Sequence, residues 1–237
     1  MTPFSCSPIA LATAATMLLA TVQSPAVDAA PDTGWSQISV HRQVDPLIQG
    51  ATPLSAWSRG EARCYQYPNY TVSETSTANT GSKDEARFIS IITVRASKIP
   101  CKQIHKLTDN QSIFTIKKGF EFFQGLAGNV LITDSGSAPD GRILTLYNVD
   151  KRSKFLQFDD YADDPKDLAI KNNKLTLWYK TSYATKTNCR QYKQWTTQGF
   201  GAVLESQVSV DLTSHRVVDT SRRRCQPRQS RNPEQTS

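Results

Sequence analysis

The chain has 237 residues, of which 38% are hydrophobic and 21% are charged, and its formal net charge is +7. These proportions are typical of a folded soluble protein and exclude a disordered or collagen-like chain. The length suits one sizeable domain or two small ones, and it allows a hydrophobic core that needs no metal. The motifs include no cofactor-binding pattern, so we expect no cofactor.

Residues 1–30 are expected to form a signal peptide. The run Ile9–Val22 is apolar and uncharged, and it is too short to span a bilayer comfortably. Val27 and Ala29 place small residues where a signal peptide is cleaved. The rest of the chain has no comparable segment, so the mature protein is expected to have no membrane span. The sequence therefore predicts export, to the periplasm or outside the cell.

Four cysteines remain after Cys6 leaves with the signal peptide, and an even number in an exported chain indicates disulfides. Four cysteines allow three pairings, between which the sequence alone does not decide. We favour Cys64–Cys101 and Cys189–Cys225, because each closes a local unit. A zinc site is the rival interpretation, but no two of these cysteines have the close spacing of a zinc-binding pair.

The hydrophobic pattern predicts a mainly β fold, as an antiparallel sandwich or open barrel with one short C-terminal helix. Residues 31–225 are expected to form a single β-rich domain and residues 226–237 a polar, disordered tail. Residues 71–86 are rich in Ser and Thr and predict a solvated loop, whereas Phe88–Val94 predicts a buried strand. The helix is predicted over Cys189–Gln198, capped by Asn188 and stopped by Gly199.

A hairpin is predicted where two strand-like segments flank a pair of asparagines. Leu168–Ile170 and Leu175–Tyr179 have the composition of strands, and Asn172 and Asn173 stand between them. Asparagine tolerates the backbone conformation that a two-residue turn requires. Successive strands with such short links indicate an antiparallel meander.

The segment Ile132–Gly136 resembles the active-site loop of aspartic proteases, in which a strand ends in Asp-Ser/Thr-Gly. The resemblance implies that the Asp134 carboxylate, with Ser135 beside it, would activate water. That chemistry needs a second loop, because two carboxylates share one proton. The other Asp-Thr-Gly, at Asp32, has no apolar strand before it, so one loop would require a homodimer. The alternative is a hairpin turn, where Asp, Ser and Gly are common.

Serine hydrolysis is a second enzymatic interpretation. Ser135 or Ser137 could pair with one of the three histidines, which are His41, His105 and His215. A catalytic triad requires a particular geometry, and the chain has no Gly-x-Ser-x-Gly. Isolated histidines on polar stretches more commonly have no catalytic role.

Two charged segments are candidates for ligand binding. Asp159, Asp160, Asp163 and Asp164 could hold calcium through clustered oxygen ligands, although they lack the ligand spacing of a helix–loop–helix calcium site. The alternative is a charged loop between strands. Arg222, Arg223 and Arg224 could bind a polyanionic surface, and the alternative is a solvated basic segment. No base-stacking motif accompanies these arginines, so nucleic acid is not the expected partner.

The C-terminal third looks like small exported bacterial proteins that have no assigned activity. The residues that carry this resemblance lie in about the last hundred positions: Cys189, Trp195, Gly199, Asp211, Leu212, Arg224, Cys225 and Gln229. The resemblance implies export and a disulfide-bearing domain, and it assigns no functional residue.

The sequence favours a non-catalytic binding or interaction protein over an enzyme. A disulfide-bonded β scaffold, a basic surface and aromatic residues that could line a binding face are expected, and no complete catalytic motif accompanies them. The expected partner is a protein or a polymer of the envelope or cell surface, and an inhibitor-like role is compatible with this pattern. The alternative is a hydrolase of a peptide or envelope polymer that uses Asp134.

Overall fold

The computed structural model describes residues 34–38, 48–79, 87–96, 100–106, 112–136, 141–162, 164 and 166–229. The predicted signal peptide, residues 1–30, lies outside these ranges. The described chain forms three antiparallel sheets in which strands that follow one another in sequence also pair with one another. The predicted fold class, mainly β and antiparallel with one short helix, is therefore confirmed.

The N-terminal sheet has six strands: β1 Ser36–Ile38, β2 Ser55–Arg59, β3 Ala62–Gln66, β4 Tyr70–Asn79, β5 Arg87–Ala96 and β6 Phe114–Gly119. A 3₁₀ helix, Cys101–Lys106, lies between β5 and β6. The middle sheet contains β7 Glu121–Ala127, β8 Val130–Ser135, β9 Ile143–Asn148 and β10 Ser153–Asp159. The C-terminal sheet contains β11 Leu168–Lys171, β12 Lys174–Tyr183, β13 Gly201–Asp211 and β14 Val217–Arg228.

The middle sheet is covered on both of its faces. In β8, Val130 and Ile132 belong to the hydrophobic cluster shared with the C-terminal sheet, whereas Leu131 belongs to the cluster shared with the N-terminal sheet. Alternate side chains of a strand point to opposite faces, so β8 must be apolar at successive positions. The three sheets therefore stack face to face as a sandwich-like assembly with two hydrophobic layers.

Each hydrophobic layer draws on two sheets. The layer below the N-terminal sheet contains Tyr65, Tyr67, Val72, Ile92, Val94, Phe123, Leu126, Leu131 and Tyr147. The layer above the C-terminal sheet contains Ile132, Leu144, Leu146, Phe158, Leu175, Leu177, Val208, Val210 and Leu212. Each fully buried Leu, Ile or Val stabilises the fold by about 1.5–3 kcal/mol relative to its exposed state.

The predicted asparagine hairpin is confirmed. β11 and β12 pair from Leu168 opposite Leu177 to Lys171 opposite Lys174. Asn172 and Asn173 form the turn, and their φ angles are 50° and 58°. This left-handed conformation at both positions is the one that a two-residue hairpin turn requires.

The predicted loop over residues 71–86 is wrong over its first part, because residues 70–79 form β4. Thr71, Val72 and Glu74 are buried, and the strand pairs with both β3 and β5. Thr has a high strand propensity, so a Ser/Thr-rich segment is stable as a strand once it has neighbours on both sides. Residues 80–86 lie outside the described residues.

The helix is shorter than predicted. It spans Tyr192–Thr197, and Asn188 does not cap it, because the Asn188 Oδ1 atom accepts a hydrogen bond from the Thr185 amide at 2.6 Å. Gly199 follows the helix with a φ of 85°, which agrees with the predicted stop. Trp195 packs against the small hydrophobic cluster around Cys189, so the helix covers one end of the C-terminal sheet.

The two favoured disulfides are confirmed. Cys64 of β3 is bonded to Cys101, and Cys189 is bonded to Cys225 of β14. β14 continues to Arg228, so residues 226–228 belong to a strand rather than to the predicted tail, and residues 230–237 lie outside the described residues. Within the described residues, no helix has the length and apolar character needed to cross a membrane.

Truncation of a middle-sheet residue should be costly. Leu146 is fully buried in the layer shared with the C-terminal sheet, so Leu146→Ala should lower the free energy of unfolding by about 3 kcal/mol. The matched control is Leu54→Ala, because Leu54 is 69% exposed and should tolerate truncation. Denaturant unfolding of both variants checks this expectation, and equal losses would contradict the described stacking.

Candidate functional site

The Asp-Ser-Gly segment does not present a carboxylate to solvent. Asp134 lies in β8, is fully buried, and forms an ion pair with Arg142. Ser135 ends the strand. Asp32, which the second protease loop would require, lies outside the described residues.

The serine-hydrolase residues are not brought together by the described part of the chain. His215 stacks on Phe155, with ring centroids 3.9 Å apart. Ser137, His41 and the side chain of His105 lie outside what the structure describes.

Three of the four acidic residues considered for calcium each have a separate partner. Asp160 accepts hydrogen bonds from the Gly141 amide and from Lys180, Asp159 accepts one from Gln157, and Asp164 pairs with Lys166. Asp163 lies outside the described residues. Among the residues that the structure describes, no three acidic, histidine or cysteine side chains come together as a metal site would require.

Arg224 is part of an ionic network on the C-terminal sheet that is partly buried and centred on Glu205. It donates two hydrogen bonds to Asp167, at 2.8 and 2.6 Å, and one to Glu205, at 2.7 Å. Its guanidinium also lies 4.3 Å from the centroid of the Trp178 ring. Glu205 is almost completely buried and forms an ion pair with a second arginine, Arg228. This network joins β13 and β14 to the segment that precedes β11.

The other two arginines of the predicted polyanion site differ from Arg224. Arg223 forms a two-point ion pair with Asp219 on the surface. Arg222 is exposed and contacts Gln207 at 3.4 Å, with no carboxylate partner in the described part of the chain. Two of the three candidate charges are therefore neutralised within the protein.

A charged cavity opens between the N-terminal and middle sheets. Its volume is about 460 Å³, and its lining residues are Gly60, Glu61, Arg63, Glu74, Ser76 and Phe122. We call this space the charged cavity. It differs from the candidates above because its ionisable side chains surround an opening that a ligand can enter.

Strand register explains how the charged residues reach the cavity. Arg63 of β3 lies opposite Glu74 of β4, so both side chains point to the same face of the sheet. Val72 precedes Glu74 by two positions and is in the hydrophobic layer, so this face is the one that meets the middle sheet. Polar residues therefore continue the buried face of the N-terminal sheet beyond its apolar part.

Glu74 forms the inner wall of the cavity. Only 8% of the residue is exposed, and its Oε1 atom accepts a hydrogen bond from the Phe123 amide at 2.9 Å. Burial raises the pKa of Glu74, and the Phe123 amide and the positive charge of Arg63 oppose that rise. Burial likewise raises the pKa of Tyr65, to about 12, and a hydrogen bond from Arg63 opposes this rise. Arg63 is thus engaged with groups of its own sheet.

A second buried carboxylate, Glu121, supports this end of the interface. Its Oε1 atom accepts hydrogen bonds from the Thr133 hydroxyl at 2.6 Å and the Tyr147 hydroxyl at 2.7 Å. A buried carboxylate with such donors is stabilised in place, so Glu121 fixes β7 against β8 and β9. Phe122 follows it directly and lines the charged cavity.

Phe122, which lines the cavity, and Phe120, two residues before it, are both exposed. Phe122 is 38% exposed, and Phe120, in the turn between β6 and β7, is 46% exposed. The φ angle of Phe120 is 55°, a left-handed conformation that is unfavourable for an aromatic residue. Such strain concentrates at functional sites.

The sequence analysis did not identify this cavity. Glu74 and Ser76 fall in the segment predicted to be a loop, and the sequence predicts no functional role for Arg63 or Phe122. The alternation of Val72, Glu74 and Ser76 with polar neighbours is the signal that could have placed the two polar residues on a buried face.

Comparison with known proteins provides no relative: no protein-family model, no curated protein and no solved structure matches this chain.

Loss of Glu205 should destabilise the fold strongly. Glu205→Ala would leave Arg224 and Arg228 without their buried partner, so the free energy of unfolding should fall by about 3 kcal/mol. Asp219→Ala breaks the exposed pair with Arg223 and should leave the thermal midpoint nearly unchanged. Thermal unfolding compares the two variants. An equal fall in the thermal midpoint would show that the ion pairs of Glu205 stabilise the fold no more than the exposed Asp219–Arg223 pair does.

The stability difference between Glu74→Gln and the wild type should depend on pH. Because the pKa of Glu74 is raised above its ordinary value of 4.5, the folded protein holds this proton where the unfolded chain has released it. The wild type therefore loses stability as pH rises from 4.5 through the folded pKa, whereas the glutamine does not titrate. Denaturant unfolding should show that Glu74→Gln gains stability relative to the wild type between pH 4 and pH 8. A stability difference that is the same at both pH values would contradict the raised pKa of Glu74.

Proposed function

We propose that this chain is an exported, non-catalytic binding protein and that the charged cavity binds a cationic group of its partner. The observation that supports the proposal is a cavity whose lining combines two glutamates with Phe122, a residue that is 38% exposed. Binding sites commonly combine a concave apolar surface with a few converging polar groups.

Export is supported by the two disulfides. Disulfides form and persist in oxidising environments such as the periplasm and the extracellular space. Both bridges join cysteines of the segment that follows the expected signal peptide. The periplasm and the cell exterior both fit this argument.

The balance of charges favours a cationic ligand group. Arg63 is engaged with Tyr65 and Glu74, whereas Glu61, on the rim, has no ion pair within the described residues. A carboxylate attracts an ammonium or guanidinium group, and an aromatic ring attracts the same cation through its face. A lysine or arginine side chain of a protein partner offers this chemistry, which agrees with an interaction or inhibitor-like role.

The alternative function, a hydrolase that uses Asp134, has less support. A catalytic carboxylate must reach the substrate or its attacking water. Asp134 is buried and paired with Arg142, so its carboxylate is directed into the protein. The charged cavity is lined by other residues, and its two glutamates belong to β4 and to the turn between β2 and β3.

The test uses residues 31–237 with both disulfides formed and a panel of fluorescent peptides that contain lysine or arginine. Each peptide is matched by one in which norleucine or citrulline replaces the charged residue. The wild type should bind the charged peptides more tightly, and Glu61→Gln and Phe122→Ala should each weaken binding about fivefold. Fluorescence anisotropy measures the affinities.

The matched control is Val218→Ala, which truncates an exposed hydrophobic residue of β14 and should leave binding unchanged. Equal binding of charged and neutral peptides would rule out recognition of a cation. Unchanged binding by both cavity variants would place the peptide site elsewhere on the protein.

A further inference from the structure

A second cavity lies at the opposite end of the interface between the N-terminal and middle sheets. β4 runs from Tyr70, which lines this second cavity, toward Glu74 in the charged cavity, and β7 runs from Phe122 in the charged cavity to Leu126 in the second. Phe123 separates the two spaces, because its ring packs 4.8 Å from that of Tyr65. The second cavity has a volume of about 330 Å³.

The lining of the second cavity contains no acidic or basic side chain. The chain has 28 Lys and Arg and 21 Asp and Glu, but none of these residues lines the second cavity. Its two tyrosines are engaged by hydrogen bonds, Tyr67 to the Ala51 carbonyl at 2.9 Å and Tyr70 to Asp150 at 2.7 Å. Burial raises the pKa of both hydroxyls above the ordinary value of 10.0, that of Tyr70 to about 12. We call this space the neutral cavity.

Neutral hydrogen-bonding groups stand at the mouth of the neutral cavity. Asn69 and Asn172 are exposed, and neither side chain makes a hydrogen bond to another described residue. Each amide offers two donors and one acceptor oxygen, and the Thr52 hydroxyl offers both functions. Leu126 and Ile170 add apolar surface. The lining thus combines polar groups with apolar surface.

The walls of the neutral cavity are held by the backbone. The Ile170 amide donates to the Gln49 carbonyl at 2.7 Å, and the Ile48 amide donates to the Gln124 carbonyl at 2.9 Å, so residues 48–50 bridge β7 and β11. Gly50 has a φ of 91°, and a Cβ there would lie 2.0 Å from the Ile170 carbonyl oxygen. Only glycine permits this approach. The cavity is therefore formed before a ligand arrives, which reduces the entropic cost of binding.

We propose that the neutral cavity binds a neutral saccharide unit. A sugar ring has apolar C–H faces and hydroxyl edges that donate and accept hydrogen bonds, and both match the lining. A phosphate, carboxylate or amine would meet no opposite charge among the residues that line the cavity. The saccharide can be free or part of a polymer, because the recognised chemistry is the same. The inference does not depend on the charged cavity.

The turn at Asn172 provides a clean variant. Its left-handed backbone is also favourable for glycine, so Asn172→Gly removes the amide and preserves the hairpin. Asn69→Ala removes the second amide. Ser221→Gly is the matched control, because Ser221 has a φ of 61° on β14 and does not line the neutral cavity.

The experiment titrates the protein with a panel of neutral disaccharides and with counterparts that carry a carboxylate or an amine, followed by NMR chemical shifts. Neutral disaccharides should bind, and Asn172→Gly and Asn69→Ala should each weaken binding about fivefold, while Ser221→Gly should not. Cosedimentation with insoluble neutral polysaccharide distinguishes polymer binding from binding of free sugar only. Absence of binding by every neutral saccharide in both assays, or binding that both variants leave intact, would overturn the proposal.

Discussion

The rest of the structure depends on the burial of the middle sheet on both faces. Because β8 and β9 meet a sheet on either side, neither face can carry solvated polar residues without a specific partner. The two hydrophobic layers therefore share one set of strands, and a displacement of β8 disturbs the packing of both layers. The buried polar residues of this sheet follow the same constraint, since Glu121 and Asp134 each have a defined partner.

The cavities arise where the stacking of the N-terminal and middle sheets ends. Aromatic residues fill the centre of this interface, with Phe123 between Tyr65 and Tyr67. Toward one end the facing residues become Arg63 and Glu74, and toward the other end they become neutral. A single interface thus produces two openings of different chemistry, which is why we assign them different ligands.

The sequence predicted the fold class and both disulfides because these follow from local signals. Alternation marks the strands, the two asparagines mark a hairpin, and the cysteine spacing favours local bridges. The cavities could not be predicted in the same way, because they depend on which strands lie opposite each other. Glu74 was assigned to a loop since its Ser/Thr-rich neighbours have no apolar period, and only pairing with β3 and β5 makes that segment a strand. Asp134 is the opposite case. Its local motif resembles a protease loop, but in the folded chain its carboxylate is buried and paired with Arg142.

Neither disulfide joins one sheet to another. Cys64 of β3 is bonded to Cys101, 37 residues away in the 3₁₀ helix between β5 and β6, and Cys189, which lies between β12 and the α-helix, is bonded to Cys225 of β14, 36 residues away. In an oxidising compartment each bridge can therefore close within its own third of the chain, independently of the order in which the sheets stack. Neither disulfide involves the middle sheet, so the packing of the three sheets against one another stays reversible after both bridges have formed.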